Sequence, residues 1–99
     1  MTYLKYTGYV PVSIESKLPS SDFHGTPTYA EVLDWLLKRD MWLEARYFGI
    51  NVENYEFKDM RDEMYPHRIC CQGDARALDI VIEEAVNYII ERNRLNPDP

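Results

Sequence analysis

The chain has 99 residues, of which 45% are apolar and 13% aromatic, and its formal net charge is −6 at pH 7. This length fits one domain, and the apolar share is large enough for a hydrophobic core, so intrinsic disorder is not expected. The negative charge argues against non-specific binding to nucleic acids or anionic membranes, because both need a positive field. We therefore predict one domain over residues 1–99, with no nucleic-acid or membrane partner.

The expected cellular location follows from two features that the sequence lacks. No apolar run approaches the ~18 residues of a membrane-spanning helix. The stretch MTYLKYTGYVPV at the start has no apolar region of the signal-peptide type. We therefore expect a soluble, cytoplasmic protein. Adjacent Cys70 and Cys71 would point to opposite faces of a strand, which predicts two reduced thiols with one of them in the core.

Residues 1–25 are expected to form a strand and a loop. The alternation of Val10, Val12 and Ile14 is typical of a short, half-buried strand. Pro11 cannot donate a hydrogen bond to a neighbouring strand, so this strand would lie at a sheet edge. Residues 16–26 are predicted to be a loop, because they combine proline, glycine and clustered serines.

The first helix is predicted to begin near residue 26 and has two candidate starts. Thr26 followed by Pro27 fits an N-cap and a first helical residue, whereas Thr28 with Glu31 fits a capping box. Trp35 is expected at the edge of the buried stripe. The stripe itself is predicted to contain Tyr29, Val32, Leu33, Leu36 and Leu37.

Three strands are predicted to follow the first helix. The period changes to two over residues 41–48, where Met41, Leu43, Ala45 and Tyr47 share the expected core face. Residues 49–54 are expected to be a loop that precedes a strand over residues 55–60, with Tyr55 inward. A charged connection then leads to a third strand over residues 67–72, with Ile69 and Cys71 on one face.

A long helix is predicted over residues 74–92. Asp74 follows Gly73 and is a suitable N-cap, while Arg92 suits the negative end of the helix dipole. Its apolar stripe is expected to contain Leu78, Val81, Ile82, Ala85, Val86, Ile89 and Ile90.

These elements predict an α+β fold with two layers. An α-β-β-β-α core over residues 26–92 would place two helices on one face of a three-stranded antiparallel meander, with the N-terminal segment as a candidate fourth edge strand and residues 93–99 as a tail. The other face of the sheet, here called the open face, would carry Trp42, Glu44, Arg46, Phe48, Glu56, Lys58, Arg68 and Gln72.

The open face is the predicted interaction surface. Its aromatic residues Trp42 and Phe48 stand among charges, which is more apolar surface than an open sheet face requires. Either the N-terminal tyrosine-rich segment or a partner protein would cover them. A second copy of the chain is one such partner, because an unpaired edge strand or an exposed aromatic surface can form a homodimer.

The same order of elements occurs in double-stranded RNA-binding domains, whose last helix begins with a lysine-rich segment that grips phosphates. Here residues 73–79 read GDARALD, with one arginine between two aspartates. RNA binding of that type is therefore not expected.

Two segments resemble a group of small proteins from bacteriophages and mobile elements of gut bacteria. They are TPTYAEVLDWLLKR at residues 26–39 and DARALDIVIEEAVNYII at residues 74–90. In that group a Tyr-x-x-Val-x-x-Trp-Leu-type helix precedes strands, and an Ala-Leu-x-x-x-Ile-x-x-Ala-type helix closes the chain. The resemblance implies a phage or prophage accessory protein inside a bacterial cell, and it implies no activity or catalytic residues.

Two further groups of polar residues are candidate sites. Asp22 and His24 lie in the glycine- and proline-containing loop, where they could bind a metal or act as base and orienting group, or simply face solvent. The acidic stretch over residues 53–63 could form a solvated hairpin, or a negative surface that mimics DNA phosphates or meets a basic partner. Its acidic residues are Glu53, Glu56, Asp59, Asp62 and Glu63.

No phosphate-binding loop, nucleotide-binding glycine motif, GxSxG, HExxH or paired CxxC occurs in the sequence. An enzyme is therefore not expected, and no cofactor is predicted. The first hypothesis is a protein that binds another protein through an acidic surface or the open face. The alternative is a small-molecule-binding module, with a pocket between the sheet and residues 16–27 that tyrosines and His24 would line.

Overall fold

A computed structural model describes residues 8–48, 51–61, 68–72 and 75–95, with the backbone alone for residues 46–48, 51–53 and 75–76. The elements, in chain order, are helix α1 (Val12–Glu15), a 3₁₀ turn (Ser20–Asp22), helix α2 (Tyr29–Leu37), strands β1 (Met41–Phe48), β2 (Asn51–Asp59) and β3 (Arg68–Gln72), and helix α3 (Ala75–Leu95).

The three strands form an antiparallel sheet in the order β1-β2-β3. Helix α2 packs on β1, while α3 packs on β2 and β3. The fold is therefore α+β with the predicted α-β-β-β-α order. Within the described residues, no helix is both long and apolar enough to cross a bilayer.

The core lies between the sheet and the helices, and the strand faces follow the predicted alternation. Met41, Tyr55 and Phe57 are buried on the helix-facing side of the sheet. From α3, Ile82 and Ile89 are also fully buried. The buried set is completed by Val10, Ile14, Leu18, Val32, Trp35, Leu36, Ile69, Ala77, Leu78, Val81, Ala85 and Val86.

Helix α2 is rotated from the predicted orientation. Trp35 is buried rather than marginal, whereas Leu37 is 54% exposed. Because a helix turns by 100° per residue, a buried face centred near Val32 leaves Leu37 roughly 140° away from it. In α3, Ile90 likewise lies at the margin of the stripe and is exposed rather than buried.

The start of α2 is the capping box at Thr28, which decides between the two predicted starts. The Thr28 hydroxyl accepts a hydrogen bond from the Glu31 amide at 3.2 Å, and the Glu31 carboxylate accepts one from the Thr28 amide at 3.2 Å. This exchange satisfies two amides of the first turn, which would otherwise lack acceptors.

The predicted N-terminal strand is wrong, because residues 12–15 form one helical turn. Pro11 has φ −63° and ψ 158° at the N-cap, and its carbonyl accepts from the amides of Ile14 and Glu15 at 3.0 Å. Val12 is 77% exposed, whereas Val10 and Ile14 are buried. From residue 8 onward, extended pairing of this segment is a single bridge between Tyr9 and Thr28. Residues 1–7, which belong to the predicted tyrosine-rich cover of the open face, lie outside the described residues.

Three element boundaries also differ from the prediction, one of them the end of β2, which lies at Asp59 and not at residue 60. β2 begins at Asn51, so the predicted loop over residues 49–54 is wrong for its last four positions. A bulge explains the missed strand, because β2 contributes one extra residue opposite the step from Arg46 to Tyr47 and interrupts the alternation. α3 continues to Leu95, three residues past the predicted end. Gly73, Asp74 and His67 lie outside the described residues.

The turn between α2 and β1 is held by hydrogen bonds from the end of β2 and from α3. Asp40 has a left-handed φ of 64°, a conformation that aspartate tolerates better than most residues. Its carbonyl accepts from the Met60 amide at 2.8 Å. The neighbouring carbonyl of Arg39 accepts from Arg92 Nη2 at 3.0 Å. The turn is thereby tied to the end of β2 and to α3.

Candidate functional site

Trp42 is the aromatic residue on the part of the open face whose side chains the structure describes. Trp42 lies opposite Lys58 in the β1–β2 register, and its side chain is 40% exposed. The Lys58 ammonium lies 5.1 Å from the centroid of the indole ring. This distance allows a cation–π contact, which steadies the ring while it remains accessible.

Beside Trp42, two carboxylates face each other across the strands. Glu44 and Glu56 are direct cross-strand partners, an arrangement that is unfavourable for like charges. Lys58 Nζ offsets the repulsion, because it lies 3.7 Å from a Glu44 oxygen and 3.9 Å from a Glu56 oxygen. Arg68 Nε lies 3.2 Å from the other Glu56 oxygen. These four described charges balance, so this part of the open face is polar and not acidic.

The surface between the carboxylates is a shallow depression and not a deep pocket. Its volume is about 150 Å³, and Cys70 stands opposite Glu56 at its border. Small-molecule sites usually have about 300–1,000 Å³. The shape therefore suits contact with a larger surface better than enclosure of a ligand. The side chains of Arg46 and Phe48, which belong to the predicted surface, lie outside the described part of the structure.

The loop candidates Asp22 and His24 have separate surroundings. Asp22 Oδ2 accepts from the Trp35 indole N–H at 2.9 Å and from Arg39 Nη2 at 3.0 Å. The Arg39 guanidinium also stacks 4.0 Å above the Trp35 ring. His24 is exposed and borders an open hollow with Tyr9 and Thr26. The structure thus gives Asp22 one partner on α2 and one in the turn that follows α2, and does not bring it into a hydrogen bond with His24.

This arrangement predicts different effects for the two loop residues. Asp22→Ala is expected to lower the free energy of unfolding by about 1–2 kcal/mol, because it removes two bonds that tie the loop to α2 and to the turn after it. His24→Ala is expected to change it by no more than about 0.5 kcal/mol. Urea unfolding measures both. A Zn²⁺-dependent rise in melting temperature that His24→Ala abolishes would instead support the predicted metal site.

Two hollows at the loop bear on the predicted ligand pocket between the sheet and residues 16–27. The open hollow that Tyr9, His24 and Thr26 border has a volume of about 420 Å³, so it has part of the predicted lining but no strand residue. The other hollow has a volume of about 170 Å³ and is lined by the loop and α1, with neither a tyrosine nor His24 nor a strand residue. Neither hollow lies between the loop and the sheet, and the small-molecule alternative stays a prediction.

A buried charged cluster that the sequence analysis missed joins β2 to α3. Asp59 is 3% exposed and accepts from Tyr88 Oη at 2.9 Å, Arg92 Nη1 at 2.8 Å and the Arg61 amide at 3.0 Å. We call Asp59, Tyr88 and Arg92 the Asp59 cluster. Burial alone would raise the pKa of Asp59, but these three donors and the positive charge of Arg92 hold it below its usual value.

The Asp59 cluster corrects the interpretation of the acidic residues. The predicted solvated hairpin is wrong for Asp59, which is buried and paired. Glu56 belongs to the open face, where it pairs with Lys58 and Arg68. The side chain of Glu53 and all of residues 62–67, which include Asp62 and Glu63, lie outside the described residues.

Two further titratable groups, the Cys71 thiol and the Tyr29 hydroxyl, are held in their protonated forms. Burial, and then the charges of Glu84 and Cys70, raise the pKa of the Cys71 thiol, whose Sγ lies 3.1 Å from the Ala77 carbonyl oxygen. A thiol kept protonated is a poor nucleophile. Burial and a hydrogen bond to Asp79 likewise raise the pKa of Tyr29. Over the described ranges, no group of three or more His, Cys, Asp and Glu side chains is arranged to hold a metal.

Comparison of the chain with protein-family models, with curated proteins and with solved structures gives no match.

Proposed function

We propose that this chain is a non-enzymatic protein that acts by binding another protein through the open face. The observation that carries the proposal is Trp42, which stays 40% exposed on a sheet face whose other described side chains are mostly charged or polar. Tryptophan is among the residues most enriched at the energetic centres of protein interfaces, because covering one indole buries a large apolar area.

The charges around Trp42 support a protein partner in a second way. Glu44, Glu56 and Lys58 already hold one another in place, so a partner does not have to order them when it binds. Fixed charges of both signs also favour one orientation of a partner over others. We therefore propose a partner that covers Trp42 with an apolar patch and surrounds that patch with polar groups.

The chemistry of the described side chains supports a role without catalysis. The Cys71 thiol is kept protonated, and Asp59 and Arg92 bind each other. The resemblance of residues 26–39 and 74–90 to small phage proteins supports a place for this chain among phage or prophage accessory proteins. Its partner would then be a protein of the phage or of the bacterial host.

The test is affinity capture from bacterial lysate followed by measurement of binding to the captured protein. Trp42→Ala is expected to weaken that binding about tenfold or more, because loss of a central tryptophan typically costs 2 kcal/mol or more. Ile80→Ala is the matched control, since Ile80 is also an exposed large apolar residue but lies on α3. The control is expected to bind as the wild type does.

Circular dichroism of Trp42→Ala must first show the wild-type spectrum, so that lost binding is not lost folding. The proposal fails if no partner is captured reproducibly. It also fails if Trp42→Ala and Ile80→Ala weaken binding equally, because the binding surface would then not be the open face.

A further inference from the structure

The outer edge of β1 has an unusual composition for an edge strand. Across residues 8–48, 51–61, 68–72 and 75–95, the sheet order is β1-β2-β3, so no described strand pairs with that edge. Edge strands are commonly protected from pairing by proline, charged side chains (lysine above all), bulges or short length. β1 has eight residues, MWLEARYF, with neither proline nor lysine, and its two charges, Glu44 and Arg46, are of opposite sign. The bulge in the β1–β2 pair adds its extra residue to β2, so β1 itself alternates without interruption.

β1 is also complementary to itself in one antiparallel register. When a two-fold axis passes midway between the Ala45 residues of two copies, Glu44 of one copy lies opposite Arg46 of the other. The same register places Trp42 opposite Phe48 and Leu43 opposite Tyr47. Opposite charges and aromatic pairs are the favourable cross-strand combinations.

The neighbouring registers lack this complementarity. A two-fold axis perpendicular to the sheet keeps each residue on its own face, and in an antiparallel pair it passes midway between one residue and the same residue of the other copy. An axis at position 44 would place Glu44 opposite Glu44, and an axis at position 46 would place Arg46 opposite Arg46. Like charges directly opposite are unfavourable. Of these three registers, charge complementarity therefore favours the one centred on Ala45.

We infer that two copies of this chain associate through antiparallel pairing of their β1 strands, with the two-fold axis midway between the two Ala45 residues. The two sheets become one continuous sheet, with the helices of both copies on the same side. The open faces of both copies join on the other side. Trp42 of each copy then stands beside the other copy, so the dimer doubles the surface that a partner can cover.

The test is sedimentation velocity over a range of concentrations, with charge reversals on β1. Wild type is expected to reach twice the 11.7 kDa of one chain at high micromolar concentration. Glu44→Arg or Arg46→Glu alone is expected to weaken association at least about tenfold, since each places like charges opposite each other at two symmetric positions. An equimolar mixture of the two variants is expected to associate within about threefold of wild type, because every pair across the axis is again of opposite charge.

Matched controls come from an exposed pair of the same charges on α2. Asp34 and Lys38 form an ion pair 2.9 Å apart at the surface, so Asp34→Arg and Lys38→Glu repeat the charge changes away from β1. Both controls are expected to associate as wild type does. Should a single β1 variant fail to fold, the double variant E44R/R46E decides, because it restores opposite charges within one chain and is expected to form a homodimer.

Four results would overturn this inference. The first is a wild type that remains at 11.7 kDa at high micromolar concentration. The second is association of the single variants as strong as that of wild type, and the third is failure of both the mixture and the double variant to restore association. The fourth is dissociation by Arg68→Glu with β1 unchanged, which would place the interface at β3. If the chain is a monomer and still binds a foreign partner through Trp42, the dimer inference fails while the proposed function stands.

Discussion

Ile82→Ala is expected to lower the free energy of unfolding by about 2–5 kcal/mol. Ile82 is fully buried in the middle of α3, where its neighbours along the stripe, Val86 and Ile89, are also fully buried. Removing three carbon atoms leaves a cavity among side chains that cannot all move to fill it. Because domains of this size have about 5–15 kcal/mol of stability in total, urea denaturation should show the change clearly.

The control for Ile82 lies on the opposite side of the same helix. Glu84 is exposed, so Glu84→Ala is expected to change the free energy of unfolding by no more than about 0.5 kcal/mol. Equal damage from the two substitutions would contradict the two-layer arrangement, because both faces of α3 would then be buried. An assembly with α3 at its centre would explain that result.

Asp59→Ala is expected to cost about 3–5 kcal/mol, because it leaves the Arg92 guanidinium buried without its counter-charge. Asp34→Ala is the matched control. The Asp34–Lys38 pair has a similar separation of 2.9 Å, but its side chains are 62% and 71% exposed. This control is expected to change the free energy of unfolding by no more than about 1 kcal/mol, because water screens the pair. Equal effects in urea denaturation would show that the Asp59 cluster is not buried in solution.

The Asp59 cluster also predicts how stability depends on pH. The folded-state pKa of Asp59 lies below its unfolded value, so folding favours the ionised carboxylate. Its contribution is present in full above the unfolded pKa, about 3.9, and is lost as the pH falls through the lower, folded-state pKa. Urea midpoints measured from pH 6 down to pH 2 should fall more for wild type than for Asp59→Asn, which cannot ionise. Parallel midpoints for the two proteins would contradict this assignment.

Periodicity predicted the long elements of the fold because it reports directly on which side of a strand or helix is buried. The inward positions Tyr55 and Phe57 and the α3 stripe around Ile82 follow from alternation and from helical spacing. The open face followed from the same argument, since a residue that is not inward on a strand must be outward. The placement of Trp42 could therefore be predicted without any tertiary information.

Short segments gave ambiguous patterns. Val10 and Ile14 are four residues apart, a spacing that fits one helical turn as well as alternate positions of a strand. Only the exposure of Val12 distinguishes the two, and exposure depends on what packs against the segment. The beginning of β2 was missed for a related reason, because the bulge interrupts alternation at the point where the strand begins.

The long-range polar contacts were beyond sequence reasoning, because they join distant positions, unlike the local capping box of Thr28 and Glu31. Asp59 and Arg92 are 33 residues apart, and Arg39 and Arg92 are 53 apart. One signal was present, since Asp59 shares the inward alternation of Tyr55 and Phe57 and a carboxylate there needs a buried partner. Nothing in the spacing identified Arg92 as that partner. No sequence pattern indicated the hydrogen bonds that Trp35 and Arg39 donate to Asp22 either.

The hydrogen bond from Arg92 to the carbonyl of Arg39 has a consequence for the order in which a nascent chain can fold. On the ribosome, α2 and the β1–β2 hairpin are translated well before Arg92. Until α3 emerges, the turn after α2 lacks one of its donors, and the inward faces of β2 and β3 lack their cover. Their apolar side chains are then open to chaperones and to other nascent chains. Native burial of the sheet therefore waits for α3, and the time spent translating residues 60–92 contributes to how long the unfinished sheet is exposed.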